Sequence, residues 1–137
     1  MGEVDWQSGQ GLLSVDDPKV VDDVFGRDEK HVGIAVIGLT LNHDDLDVVA
    51  PRIVSAIESA RTETRRLGFT AAGHSVRLFQ RLDDRIERAL FHFRNESMAA
   101  TALDDATQYE SFWRLPWWLK KRTFLKRLRW HLLERWR

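Results

Sequence analysis

The chain has 137 residues, of which 43% are hydrophobic, with 21 basic and 21 acidic residues and no cysteine. A chain of this length can form one domain with a core of its own, and the lack of cysteine excludes disulfides and thiolate chemistry. The acidic start lacks the apolar stretch of a signal peptide, and no apolar run approaches the roughly 20 residues that cross a bilayer. We therefore expect one cytoplasmic domain.

The net charge of the whole chain is zero, but its two parts carry opposite net charges. Residues 1–112 carry 12 basic and 20 acidic residues, a net of −8, whereas residues 113–137 carry 9 basic residues and 1 acidic residue, a net of +8. The basic segment also contains five of the six tryptophans. This division predicts that the C-terminal segment meets an acidic surface, which could be the rest of this chain, a membrane, a nucleic acid or another protein.

The N-terminal region is predicted to be loose and to lead into a first helix. Residues 1–15 are rich in glycine and show no helical periodicity. Asp17 and Pro18 resemble an N-cap followed by a proline at the first helical position. Gly26 can end this helix shortly after Phe25. We expect a short first helix between these signals.

Two apolar segments come next. Residues 32–41 are apolar on nearly all sides, which predicts either a helix buried between other helices or a strand, because valine and isoleucine are frequent there. Residues 46–60 place their apolar side chains on one helical stripe. Asp47 is the expected N-cap of this second segment, and Pro51 is expected in its first turn, where no backbone hydrogen bond is lost.

An internal repeat favours the helical interpretation of the first apolar segment. Residues 29–41 align with residues 64–76 at an offset of 35, with apolar positions matched to apolar positions. The alignment also pairs Gly33 with Gly68 and Gly38 with Gly73. Such spacing is typical of stacked helical hairpins, in which each hairpin buries its apolar face only against its neighbours. The sequence therefore predicts an all-α fold.

Three blocks of the sequence resemble the HEAT-repeat family, in particular the small HEAT-like proteins of bacteria: LDVVAPRIVSAIESA, TETRRLGFTAAGHSVRLF and ATALDDA. Units of that family have a first helix with a proline, a polar turn with an arginine and a second helix rich in alanine and glycine. Pro51, Arg65 or Arg66, and Gly73 occupy the corresponding places. The resemblance covers roughly residues 17–110 and implies a short α-solenoid of two to three hairpins. The expected organisation is a loose segment 1–15, a repeat domain 16–110 and a basic amphipathic helix 111–137.

The resemblance implies a non-enzymatic protein-binding module, because stacked hairpins form an extended surface without a deep pocket. An acidic body would suit an inhibitor or immunity protein that binds a basic partner such as a nuclease toxin. Repeat scaffolds often bind through exposed positions of their second helices. The candidate partner-binding residues of the middle unit are therefore Arg65, Arg66, His74 and Arg77. The alternative is that these arginines pair with nearby acids such as Glu63, for little energy.

Signals for catalysis or metal binding are weak. Residues 43–47 contain a histidine and three aspartates, which a loop that caps the next helix explains better than a metal site. Arg85 and His92 are separated by six residues, a spacing that resembles the Arg-x4–6-His motif of HEPN-family ribonucleases. This resemblance makes ribonuclease activity an alternative function. We expect no metal, no cofactor and no enzymatic activity.

The C-terminal segment has the most unusual composition of the chain. Pro116 can start a helix. At about 100° per residue, the large apolar side chains of this helix fall within one arc of about 120°. These side chains are Trp117, Trp118, Phe124, Leu125, Leu128, Leu132 and Trp136. Leu119 and Trp130 fall on the polar side, so the two faces are incompletely separated. Lys120, Arg127 and Trp130 are the candidate contact residues of this polar face.

Three roles are open for this basic helix. As a cap, it would cover the apolar face of the last hairpin. As a docking element, it would bind a membrane surface or a groove in a partner. Contact with nucleic acid is the least favoured role, because the acidic body would repel phosphate. We favour the cap and expect the aromatic stripe to be covered, by this chain or by a partner, with the cations on the remaining surface.

Overall fold

The computed structural model describes residues 5–135. Over this range the chain forms seven α-helices and three short 3-10 helices and has no strand, which confirms the all-α prediction. The α-helices are α1 (Pro18–Gly26), α2 (Val32–Asn42), α3 (Leu46–Ile57), α4 (Thr62–Phe79), α5 (Asp84–His92), α6 (Ala100–Tyr109) and α7 (Trp117–Arg135). The 3-10 helices are Leu12–Ser14, Ser97–Ala99 and Phe112–Arg114. Trp136, predicted to lie on the apolar arc, is outside the described residues.

The first six helices form two rows, with α4 at the centre of one of them. α4 packs against α2 on one side and α6 on the other, while α3 contacts both α1 and α5 in the second row. α3 also packs along α4 and joins the two rows. The core lies between the rows and includes the fully buried Leu39, Ile53, Phe69 and Leu90. Residues 32–41 belong to α2, so the strand alternative is wrong.

The paired glycines of the internal repeat lie at close contacts between elements, but their partners differ. A Cβ atom at Gly33 would collide with a side chain of α4, whereas one at Gly68 would collide with the backbone of α3. Gly38 faces the 3-10 helix Leu12–Ser14, and Gly73 faces α6. The paired positions therefore share helical structure and close packing, but they do not share one environment.

Part of the segment before α1 packs on α2, although the sequence predicts that residues 1–15 are loose. Within residues 5–15, Leu12 is fully buried in the core. Gly11, which precedes it, has a φ of 81°, a conformation that glycine adopts without strain. The side-chain amide of Asn42 at the end of α2 donates a hydrogen bond of 2.8 Å to the carbonyl oxygen of Leu13. These contacts attach the segment to α2.

The predicted start of α1 is confirmed, whereas α3 differs in two details. Asp17 caps α1, and Pro18 is its first residue. The N-cap of α3 is Asp45 and not Asp47, because the Asp45 carboxylate accepts a hydrogen bond of 2.9 Å from the backbone N–H of Asp47. Pro51 lies inside α3 rather than in its first turn, so the helix lacks one backbone hydrogen bond there.

Candidate docking site

The first turns of α7 anchor this helix to the body. Leu115, Trp118 and Leu119 are buried. The indole N–H of Trp118 donates a hydrogen bond of 2.7 Å to Oε1 of Glu87 on α5. The Trp118 ring also packs edge-on against Phe91, with the ring centroids 5.3 Å apart. These contacts fix the point at which α7 leaves the body.

A carboxylate on α6 holds the next two turns of α7. Oδ1 of Asp104 accepts hydrogen bonds from Arg122 at 2.7 Å and from Lys126 at 2.8 Å. Burial alone would raise the pKa of Asp104, but the hydrogen bonds and positive charges of these two partners lower it overall. Within residues 5–135 these are the only ion pairs that α7 makes with the body. The acidic body therefore neutralises only part of the basic segment.

The second half of α7 projects into solvent, apart from the ion pair between Lys126 and Asp104. We call residues 124–135 the projecting segment, and every residue in it is exposed. Its large apolar side chains have exposed fractions of 46% to 66%, and they are Phe124, Leu125, Leu128, Trp130, Leu132 and Leu133. The predicted cap is therefore wrong for this segment, because a cap would bury these side chains. α7 is roughly 28 Å long, and the body reaches only its first half.

Five apolar residues form an exposed stripe along α7. At about 100° per residue they fall within an arc of about 100°. We call these residues the apolar stripe: Trp117, Phe124, Leu125, Leu128 and Leu132. The stripe lies about a third of a turn away from the face of α7 that packs on the body. Trp130 and Leu133 are exposed to a similar degree but lie outside the stripe.

Basic residues lie on both sides of the apolar stripe. Lys120 and Arg127 lie along one edge of the stripe, Arg129 lies along the other, and Lys121 lies within it. Long basic side chains can cover apolar surface with their stems while their charged ends reach anionic groups. Two predicted contact residues, Lys120 and Arg127, are thus at the edge of the stripe. The third, Trp130, lies on the far side of the helix.

A groove of about 490 Å³ lies where the end of α5 meets α7, and we call it the junction groove. Its main lining residues are Phe91, Arg94, Trp117, Trp118, Lys121 and Arg122. The guanidinium of Arg94 lies over the Phe91 ring, 4.0 Å from its centroid. It also donates a hydrogen bond of 2.7 Å to the carbonyl oxygen of Phe91. The groove thus combines three cations with aromatic rings, and no sequence motif links its two sides.

Three of the four candidates on α4 line a second groove, of about 430 Å³, between α4 and α6. We call it the α4 groove, and the three residues are Arg66, His74 and Arg77. The guanidinium of Arg77 contacts Nδ1 of His74. Burial and then the charge of Arg77 lower the pKa of His74, against the opposing charge of Asp105. Arg66 is paired with Glu63 through hydrogen bonds of 2.5 and 3.1 Å, as the alternative interpretation proposed.

The fourth candidate, Arg65, is part of the packing of α4 and does not line this groove. Its guanidinium donates a hydrogen bond of 3.0 Å to Glu96 and lies 5.5 Å from the centroid of the Phe93 ring. Both partners of this ion pair are largely covered. Arg65 therefore connects α4 to the segment before α6.

The loop at residues 43–47 is occupied by capping interactions. Nδ1 of His43 accepts a hydrogen bond of 3.2 Å from the backbone N–H of Asp45, and Asp45 caps α3. Asp47 pairs instead with Arg85 on α5 at 2.8 Å. No cluster of three or more potential metal ligands occurs within residues 5–135.

Arg85 and His92 lie at opposite ends of α5. The guanidinium of Arg85 is held by Asp83 at 2.9 Å and by Asp47 at 2.8 Å, and these hydrogen bonds raise its pKa. His92 is the last residue of the helix, about 10 Å along its axis, and packs edge-on against Phe93. Arg85 is therefore already engaged at the end of α5 remote from His92.

Within the part of the chain that the structure describes, no helix has the length and apolarity needed to cross a membrane. Comparisons with protein-family models, with curated proteins and with solved structures found no match to this chain. The fold alone does not assign a function, so the surfaces described above carry the proposals that follow.

Proposed function

We propose that the protein is a non-enzymatic docking module that binds an anionic membrane surface through α7. The observation that carries this proposal is the exposure of the apolar stripe, whose five large apolar side chains lie on one face of α7. Contiguous apolar surface of this kind marks an interaction site in a soluble chain. The two rows of helices serve as a HEAT-like scaffold that holds α7 by its first half and leaves its second half accessible.

The side chains of α7 favour a lipid surface over a protein groove. Tryptophan and basic residues are typical of helices that lie in the membrane interface, and the ring of Trp117, which is 70% exposed, suits the boundary between headgroups and acyl chains. Each Lys or Arg near an anionic leaflet contributes about 1 kcal/mol, and cations lie on both sides of the apolar stripe. The stripe is not covered by the body, so α7 can lie flat on a membrane with the body at its side.

The anionic surface that we propose is the cytoplasmic leaflet. A chain without cysteine does not depend on an oxidising compartment. The cytoplasmic leaflet carries anionic lipids that attract basic segments within about a Debye length, or roughly 8 Å at physiological ionic strength. Binding should therefore weaken as the salt concentration rises.

Co-sedimentation with lipid vesicles tests this proposal. The protein should sediment with vesicles of phosphatidylcholine and phosphatidylglycerol, and much less with phosphatidylcholine alone. The double variant Phe124→Ser, Leu128→Ser removes part of the apolar stripe and should weaken binding by about tenfold or more, because each buried side chain contributes about 1.5–3 kcal/mol.

The matched control is the double variant Trp130→Ser, Leu133→Ser, which removes two similarly exposed side chains outside the stripe. It should bind nearly as well as the wild type. Absence of binding to anionic vesicles at low salt, or an equal loss in both double variants, would show that the apolar stripe is not a membrane-docking surface.

Protein binding through the α4 groove is a second candidate function. It is supported by the placement of Arg66, His74 and Arg77 along one groove, and it would suit the inhibitor or immunity role. The double variant Arg66→Glu, Arg77→Glu should then weaken binding of a co-purifying protein partner without unfolding the chain. Ribonuclease activity has the least support, because Arg85 is paired with two carboxylates; RNA cleavage that is lost in His92→Ala would reverse this ranking.

A further inference from the structure

We propose that the junction groove binds the phosphomonoester headgroup of an anionic lipid, an inference that rests on the proposed membrane docking of α7. The groove and the apolar stripe share residues, because Trp117 and Leu125 belong to both and Lys121 lies within the arc of the stripe. A helix that lies on a membrane by this stripe therefore turns the mouth of the groove toward the headgroups. The groove is the concave part of the same docking surface.

The charge of the groove matches a phosphate group that carries two negative charges. Arg122 is held by Asp104 at 2.7 Å and shares this carboxylate with Lys126, so the charge of one of the three cations is partly neutralised by the protein itself. Arg94 and Lys121 make no ion pair within residues 5–135. A phosphomonoester carries about −1.5 to −2 charges at pH 7, whereas the phosphodiester of a lipid such as phosphatidylglycerol carries one. Two available cations thus favour the phosphomonoester.

Arg94 is held in position by the protein before any headgroup binds. Its guanidinium rests on the Phe91 ring and donates one N–H to the carbonyl oxygen of Phe91. Phe91 in turn packs against Trp118, whose indole is hydrogen-bonded to Glu87. The remaining N–H groups of a guanidinium can bind a phosphate in a bidentate manner. A preorganised donor of this kind loses less conformational freedom on binding than a free side chain.

The basic and apolar lining residues of the groove also match the two parts of a lipid, the headgroup and the upper acyl chains. The groove runs along the first half of α7, from Trp117 to Leu125. Trp117, at the rim, has an exposed ring that can enter the interface. Arg94 and Lys121 would then hold the phosphate while Trp117 and Leu125 contact the upper part of the acyl chains.

A comparison of two lipids tests this inference with the full-length protein. Vesicles of phosphatidylcholine would contain either phosphatidic acid, a phosphomonoester, or phosphatidylglycerol, a phosphodiester, in amounts that give the same measured zeta potential. The groove variant is Arg94→Gln, Lys121→Gln. The matched control is Lys120→Gln, Arg127→Gln, which removes one lysine and one arginine outside the groove. The single variant Lys121→Gln, at an exposed position, is a second groove variant in case the double variant is not folded.

The wild type and the control should bind phosphatidic acid vesicles several-fold more tightly than phosphatidylglycerol vesicles. Both groove variants should lose this preference while they still bind phosphatidylglycerol. The assignment is overturned if the wild type has no preference, if the groove variants keep it, or if the control loses it equally. It is also overturned if inorganic phosphate alone abolishes the preference, because the site would then bind free phosphate. Failure of the wild type to bind either vesicle would instead reject membrane docking itself.

Discussion

The indole Nε1 of Trp118 donates a hydrogen bond of 2.7 Å to Oε1 of Glu87, and this bond joins the C-terminal helix to α5. A covered indole N–H without an acceptor would destabilise the folded state. Trp118 is only 8% exposed, so its ring and its N–H both contribute to the attachment of α7. The two residues are 31 positions apart in the sequence, and neither belongs to a recognisable motif.

Replacement of Trp118 should lower the free energy of unfolding far more than replacement of an exposed tryptophan on the same helix. We expect Trp118→Ala to lower the free energy of unfolding by about 3–5 kcal/mol. Trp130→Ala, at a position that is 64% exposed, should change it by less than about 0.5 kcal/mol. Urea unfolding followed by circular dichroism measures both values. Similar values for the two variants would mean that the start of α7 is not held by the body.

The glycines of α4 should differ in their tolerance of a methyl group. A Cβ at Gly68 would lie 2.7 Å from the backbone nitrogen of Ile57 and 2.9 Å from the backbone carbonyl carbon of Ala56, and backbone atoms of α3 cannot move aside. At Gly73 the close group is the carboxylate of Asp105, which can rotate away. We expect Gly68→Ala to destabilise the fold by about 1–3 kcal/mol.

Gly73→Ala serves as the control for this comparison. The better helix propensity of alanine, worth about 1 kcal/mol, should offset the displacement of Asp105 and leave the thermal midpoint nearly unchanged. A loss of stability at Gly73 as large as that at Gly68 would contradict the distinction between backbone and side-chain contacts.

Truncations of α7 should separate its anchored half from its projecting half. Deletion of residues 124–137 removes no buried side chain among the described residues, so the thermal midpoint should stay close to that of the full chain while vesicle binding is lost. Deletion of residues 113–137 also removes Leu115, Trp118 and Leu119, which are buried. It should lower stability by several kcal/mol. If the protein without residues 124–137 has a thermal midpoint as low as that of the protein without residues 113–137, the projecting segment covers the body.

His74 should titrate below its ordinary pKa of 6.5, because burial and then the charge of Arg77 lower its pKa. Arg77→Gln should raise this pKa, and Asp105→Asn should lower it further, since the Asp105 carboxylate acts in the opposite direction. The neutral imidazole is favoured in the folded state. Its contribution to stability is therefore present above the unfolded pKa and is lost as the pH falls through the folded pKa.

Imidazole chemical shifts measured by NMR across this pH range give the three pKa values of His74 directly. An unchanged value in Arg77→Gln would show that the contact between Arg77 and His74 does not persist in solution. A higher value in Asp105→Asn would contradict the placement of Asp105 beside His74 in the α4 groove.

The parts of the fold that could be predicted depend on local signals. The Asp17 cap and Pro18 mark the start of α1, and the internal repeat identifies residues 32–41 as a helix even though its residues also favour strands. The packing of residues 5–15 could not be predicted in this way. Leu12 is buried only because α2 lies beside it, and a glycine-rich sequence does not reveal such a long-range contact.

The candidate sites also depend on long-range contacts that local sequence signals do not reveal. Helical spacing places Arg66, His74 and Arg77 along α4, but the groove that they line is completed by α6, whose position the sequence does not fix. The pattern of α7 likewise shows which side chains are apolar and does not show how far the body extends along the helix. The junction groove depends on Arg94 and Trp117, which only the packing of α7 on α5 brings together.

Asp104 and Asp105 are neighbours on α6 but serve different helices. Asp104 holds Arg122 and Lys126 of α7, whereas Asp105 lines the α4 groove beside His74. One helical turn therefore supports both candidate surfaces, because its two consecutive carboxylates point to different neighbours, α7 on one side and the α4 groove on the other.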